Sequence, residues 1–182
     1  MRKVAIVGPE CSGKTTLAAD IARHAGARHV EEAARAYLDG LGRPYQERDL
    51  LAIAMAQART EDALAEGFDG LMACDTDMIT IRIWSEEKYG RCHPWIAAQS
   101  ERRHYDLFLL CAPDMPWEHD PLREHPRDRD RLFGIYERLL LRLRKPFVVM
   151  RGPREYRLRM AMDAIAQLRP RADEAKAAQR PG

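Results

Sequence analysis

Residues 7 to 16 read VGPECSGKTT, in which Gly8, four residues, then Gly13, Lys14 and Thr15 make the phosphate-loop pattern of two glycines followed by lysine and a hydroxyl. Glycines at those two places let backbone N–H groups close around phosphate oxygens with no Cβ in the way, and a helix starting at the lysine adds its positive dipole end. Pro9, Glu10, Cys11, Ser12 and Thr16 complete the loop that would hold the phosphates of ATP. Lys14 is placed to reach the β and γ phosphates, and Thr15 to offer its hydroxyl to a Mg2+ ion bridging them. A second acidic motif follows in LMACDTD, residues 71 to 77, where Asp75 stands at the end of an apolar run and Asp77 two positions on. Ligands of an open α/β sheet bind at the carboxyl ends of its strands, and residues two apart in extended chain share a side. Asp75 is therefore the candidate acid that orients an acceptor hydroxyl or holds the metal. Asp77 either joins it at the acceptor or caps the helix that begins near Met78.

Other nucleotide-binding classes fit less well. Guanine recognition uses an asparagine and aspartate motif, and the chain contains no asparagine, which argues against a small GTPase. DGLG at 39 to 42 imitates a switch motif but falls at a helix end. A large mechanical ATPase would need a longer chain and an acidic pair closing its second motif.

The motifs need elements to position them, and short apolar runs alternating with stretches of helical period supply these, as in a parallel sheet covered on both faces. Strands are predicted at Lys3 to Val7, Arg28 to Glu31, Gly70 to Asp75, Asp106 to Ala112 and Pro146 to Arg151. Helices are predicted at Lys14 to Ala25, Gln46 to Glu66, Thr76 to Glu87, Pro94 to Arg103, Arg127 to Leu143 and Arg154 to Leu168. The 182 residues, 46% of them hydrophobic, suffice for one full core, so residues 1–168 are expected to form a single phosphate-loop kinase domain. Residues 169–182, rich in alanine, arginine and proline, read as a disordered tail.

A formal charge of +2 with 32% charged residues leaves no broad basic surface for nucleic acid. Cys11, Cys74, Cys92 and Cys111 lack paired spacing, which suits reduced thiols, and with His93, His119 and His125 they match no compact zinc pattern. No apolar run is long enough to cross a bilayer and no signal region precedes the first strand, so a cytoplasmic protein without membrane insertion is expected. Oligomeric state is not legible.

From Val4 to Leu168 the chain resembles the nicotinamide riboside kinase domain of the bifunctional NAD-biosynthesis regulators. The matching segments are GPECSGKTT, similar to the family's GxESSGK(S/T)T, Glu32, Arg35 and Tyr37 in EAARAYL, IAMAQ at 53 to 57, CDTDMIT, KYGRCHPW and MPWEHDPLR. The resemblance implies a three-layer α/β phosphate-loop NTPase fold of the adenylate-kinase kind, with a five-stranded parallel sheet of order 2-3-1-4-5 and a small lid. It also implies ATP-dependent phosphorylation of the ribose 5-hydroxyl of nicotinamide riboside in NAD salvage, linked in function to riboside uptake by a transporter. Cys11 replaces a serine, Ala33 and Ala34 replace a bulky residue and a glycine, and Pro121 interrupts a DG. No room precedes the loop for the family's adenylylating domain, so a stand-alone kinase is expected. Phosphorylation of another nucleoside or a vitamin alcohol, or ATP-dependent sensing of a metabolite without turnover, are the competing readings.

The remaining matched residues suit such a role. Glu32 and Arg35 lie three apart and share a helix face, with the carboxylate placed to bind ribose hydroxyls or to pair with the arginine. Tyr37, Tyr89, Trp95 and Trp117 offer flat faces to a cationic nicotinamide ring or to the core. Residues 116–133 resemble the lid of nucleoside and nucleotide kinases. A helix from Pro126 would put Arg127 and Arg131 four apart on one face with Arg123 just before them, so that arginines close on the transferring phosphoryl group.

Overall fold

A computed structural model describes residues 1–118 and 127–168. Arg123, Pro121, His119, His125 and the tail expected at 169–182 lie outside the described residues. Five strands, β1 Arg2–Val7, β2 Arg28–Val30, β3 Leu71–Asp75, β4 Leu107–Cys111 and β5 Phe147–Met150, form one sheet in the order β2-β3-β1-β4-β5. Every pairing is parallel, with Ile6 beside Asp75 on one flank of β1 and beside Leu109 on the other. The five strands and their order are those predicted. Seven helices join them among the described residues: α1 Lys14–Ala25, α2 Ala33–Asp39, α3 Glu47–Ala65, α4 Met78–Tyr89, α5 Pro94–Arg102, α6 Arg129–Arg142 and α7 Arg154–Ala166. None is long and apolar enough to cross a membrane.

The apolar strands are continuous because both faces are covered, and their parity sorts the core into two layers. Ala5 and Val7, with Met72, Phe108 and Leu110, pack against Phe133, Tyr136, Leu139 and Leu140 of α6. Val4 and Ile6, with Ala73 and Leu109, pack against Leu17 and Ile21 of α1 and Ala161 and Ile165 of α7. Each fully buried aliphatic side chain stabilises the fold by roughly 1.5–3 kcal/mol relative to exposure, so the sheet that aims the phosphate loop is its most strongly held part. A third cluster, built from α2, α3, α4 and α5 around Leu50, Ile53, Met78, Ile81 and Ile96, stands at the carboxyl edge of the sheet. Helix α2 carries no periodic signal of its own, since seven residues hold only about two turns.

Two predicted arrangements differ at the site. Helix α6 starts at Arg129, so Arg127 precedes it and the helical spacing of Arg127 and Arg131 does not arise. Between the two aspartates, Thr76 takes φ 80, which breaks the extended geometry that would have put Asp75 and Asp77 on one side. Asp77 is instead the N-cap of α4, its Oδ1 accepting the Thr80 N–H at 3.1 Å.

That cap carries a pH signature. Burial pushes the Asp77 carboxyl up from its ordinary 3.8 to about 6, so the folded state holds its proton more tightly than the unfolded chain. The associated stability is fully present below pH about 4 and is lost as pH rises through about 6, where the charge must be borne in a buried place. Asparagine caps a helix nearly as well without charge. Asp77→Asn is therefore expected to raise stability by roughly 1–3 kcal/mol at pH 7.5 and by nothing at pH 4, as urea denaturation at the two pH values would show.

Candidate active site

Between β1 and α1 the chain turns through the phosphate loop under tight steric control. Gly8 sits at φ 141, and a Cβ there would lie 2.5 Å from the Cys111 carbonyl at the end of β4. Gly13, at φ 79, is the left-handed residue from which α1 starts, and its missing Cβ leaves room for the Met115 sulfur. Both positions therefore demand glycine. Inside the loop the buried Ser12 hydroxyl donates to the Pro9 carbonyl at 2.7 Å, and Lys14 Nζ donates to the same oxygen at 3.0 Å. The ammonium group thus rests across the loop's mouth on a single carbonyl.

Above the loop opens a cavity of about 320 Å³. Residues 8 to 16 form its floor, so Gly8, Pro9, Glu10, Cys11, Ser12, Gly13, Lys14, Thr15 and Thr16 come together as the motif requires. Glu32, Ala34, Arg35 and Leu38 close one side, Thr80, Ile83, Trp84 and Glu87 of α4 another, and Leu132 and Tyr136 of α6 a third. Met115, Pro116 and Glu118, after β4, complete the rim. Burial raises the Glu32 carboxyl above its ordinary value against the opposing pull of Lys14, while the nearby Asp75 charge pushes the same way as burial. Lys14 and Asp75 are thus close enough to act on the charge of Glu32.

Asp75 is 1% exposed and does not line the cavity, yet its Oδ1 has no hydrogen-bond partner among the described residues. A buried carboxylate oxygen left over in this way is costly unless something fills its valence. Asp77 is turned under α4 as its cap and is absent from the wall. Tyr37 faces away, its hydroxyl donating to Asp49 at 3.0 Å beside the Arg43–Asp49 ion pair. Trp95 and Tyr89 pack on the third core cluster. Trp117 stacks beside the Arg129 guanidinium, 5.7 Å from the ring centroid, and does not line the cavity. Arg127 is exposed, and Arg131 is engaged by Glu87 at 2.6 Å.

What sequence reasoning missed is the α4 wall. Thr80, Ile83, Trp84 and Glu87 follow the i, i+3, i+4, i+7 spacing of one helical stripe, so the signal was present once β3 was known to end at the site. Trp84 is held edge-on to Tyr45, with ring centroids 5.1 Å apart, and donates its Nε1–H to the Tyr45 hydroxyl at 2.7 Å. The aromatic face on the cavity is therefore fixed in orientation.

A phosphate loop and an acidic group facing each other across such a cavity are the parts of a phosphoryl-transfer site. A family model described as "AAA domain" matches residues 3–157. The chain belongs to this family. Membership fixes the phosphate-loop domain and leaves open the work done on it.

Within the family's reach, the chain is 30% identical over 149 residues to the trifunctional NAD biosynthesis/regulator protein NadR of Salmonella typhimurium, covering 80% of this chain and 36% of that protein. The Escherichia coli protein of the same name is 30% identical over 137 residues, covering 72% and 33%. The chain thus spans about a third of the length of these relatives, and the resemblance read from its motifs holds. Among solved structures, NadR in complex with NR superposes with a TM-score of 0.75 at 22% identity over 92% of this chain and 51% of that one. Deoxyadenosine kinase from M. mycoides gives 0.64 at 14% over 90% and 98%. At such identities these structures speak for the fold, a phosphate-loop α/β sheet of the nucleoside kinase kind.

Proposed function

We propose that the chain is an ATP-dependent kinase that phosphorylates the ribose 5-hydroxyl of nicotinamide riboside. The observation that carries the reading is Glu32, a half-buried carboxyl facing the same cavity as the loop lysine, on the side where an acceptor would enter. Loop amides and Lys14 grip the ATP phosphates, Lys14 leaving the Pro9 carbonyl to do so. Glu32 accepts a hydrogen bond from the acceptor hydroxyl and orients it in line with the γ-phosphorus, and Arg35 lies on the same wall. That assignment moves the hydroxyl from Asp75, which lies behind the lining residues, to Glu32, which is one of them.

Asp75 and Thr15 would hold Mg2+. The unpartnered Asp75 Oδ1 fits such a use, and an ion of this kind is usually held by one or two protein groups together with substrate phosphates. When bound, Mg2+ neutralises charge on the transferring group.

The acceptor's charge is supported by the walls. Their charged side chains are Glu10, Glu32, Glu87 and Glu118 against Lys14 and Arg35, and with Glu87 offset by its partner Arg131 the acidic side still leads, a balance that suits a cationic ring better than an acceptor already carrying phosphate. Trp84 gives that ring an aromatic face, where a desolvated cation gains about 2 kcal/mol. The names of the relatives, NAD biosynthesis regulators, point to the same molecule, and the solved NadR complex carries NR.

With ATP and Mg2+, formation of ADP is expected to depend on nicotinamide riboside, with a product heavier by one phosphoryl group, and to be at least about tenfold slower in kcat/KM with neutral ribosides such as adenosine or cytidine. Preference for a neutral riboside would reassign the acceptor. ATP binding with no acceptor-dependent turnover would favour a sensor.

A further inference from the structure

Two arginines outside the cavity wall grip consecutive peptide units of the phosphate loop. Arg129, at the start of α6, donates from Nη1 to the Cys11 carbonyl at 3.2 Å and to the Met115 carbonyl at 2.9 Å. Arg157, from α7 and 3% exposed, donates from Nη1 to the Ser12 carbonyl at 2.5 Å, from Nη2 to the Ala112 carbonyl at 3.0 Å and to Asp114, and from Nε to the Gly152 carbonyl at 2.9 Å. Asp114 also accepts the Gly152 N–H at 2.7 Å. One side chain therefore ties the loop to the ends of β4 and β5 together.

The consequence follows from the shape of a peptide. In a planar trans unit the C=O and the next N–H point in opposite directions. Turning the Cys11 carbonyl to Arg129 turns the Ser12 N–H away from it, and turning the Ser12 carbonyl to Arg157 does the same to the Gly13 N–H. Among the described residues neither of these two N–H groups has a hydrogen-bond acceptor. Cys11 is also held at φ 51, a left-handed conformation that a non-glycine residue leaves unless it is restrained.

We infer that Arg129 and Arg157 are positioning residues that preset the loop for the phosphates of ATP, each holding a carbonyl outward so that the following amide is presented inward before ligand arrives. The inference rests on the phosphate-binding reading of the loop and adds residues that no motif marks. Donors fixed in advance need no reorganisation on binding, which is where such a device gains affinity. Phosphate contacts are made to ATP alone, so the effect should fall on ATP and spare the acceptor.

The test is ATP titration by calorimetry with the folded wild type, Arg129→Ala, Arg129→Lys and Arg157→Ala, with melting temperature and the KM values for both substrates measured alongside. Arg129 sits at the half-exposed edge, so its variants keep the test open if Arg157→Ala does not fold. Arg129→Ala is expected to bind ATP about tenfold more weakly with an unchanged acceptor KM, Arg129→Lys to recover most of that loss through its one remaining donor, and folded Arg157→Ala to lose more than Arg129→Ala. Wild-type ATP affinity in Arg129→Ala, even with a lowered melting temperature, would overturn the inference and leave a purely structural role. Failure of the wild type itself to bind ATP would instead overturn the phosphate reading.

Discussion

Lys14→Ala is expected to lower kcat by about a thousandfold while leaving a folded protein. Among the described residues the side chain donates one hydrogen bond, to Pro9, so its removal costs roughly 1–2 kcal/mol of stability. In the transition state the same ammonium group faces charge developing on the oxygens between the β and γ phosphates, within a cavity lined by protein on three sides. A fixed cation is worth far more there than in solvent. ATP binding should weaken much less than turnover, because the loop amides remain and Arg129 and Arg157 still hold their carbonyls. Single-turnover rates and calorimetry on one preparation separate the two effects. A variant within tenfold of the wild type in turnover would remove Lys14 from the chemistry and with it the reading of the loop as a transfer site.

The unequal legibility of the parts has physical causes. KVAIV and LFLLC are buried on both faces, so their apolar runs had to be continuous, and glycine at positions 8 and 13 was required by a carbonyl and a sulfur that leave no space for a side chain. Such requirements are local and show in residue types. The acceptor side is different. Asp75 and Asp77 read as a pair because an extended chain was assumed through Thr76, whose left-handed turn separates them. Trp84 on α4 and Trp95 on α5 both pack against one cluster, and only the way the two helices are placed in three dimensions decides that the first also meets the cavity and the second does not. Arg129 and Arg157 act on carbonyls, which every residue possesses, so no spacing in the chain could have marked them. The helical spacing of Arg127 and Arg131 rested on an assumed helix start and does not arise for a related reason, since α6 begins two residues after Arg127.

Glu32→Gln and Asp75→Asn should fail in different ways, and the difference decides which acid meets the acceptor. Phosphoryl transfer passes through a loose transition state in which the attacking hydroxyl keeps its proton until late, so a carboxylate acts chiefly by aiming that hydroxyl. The loss in Glu32→Gln is then expected near the lower end of the range for acid-base groups, about a hundredfold in kcat/KM for the riboside, with ATP affinity unchanged. Ionised Glu32 is acceptor-only and aims the hydroxyl most strongly, whereas its protonated form accepts more weakly and gains a competing O–H donor, and burial holds its carboxyl above the ordinary 4.5. Activity in the wild type should consequently fall as pH is lowered through that raised value, and this acidic limb should vanish in Glu32→Gln, which has no proton to gain there. Asp75→Asn has a neutral group where the leftover Oδ1 lies, so it should keep the Glu32 limb while needing a higher Mg2+ concentration for half-maximal rate. The opposite pattern, a lost limb in Asp75→Asn and a raised Mg2+ requirement in Glu32→Gln, would return the hydroxyl to Asp75 and show that the cavity wall rearranges before transfer.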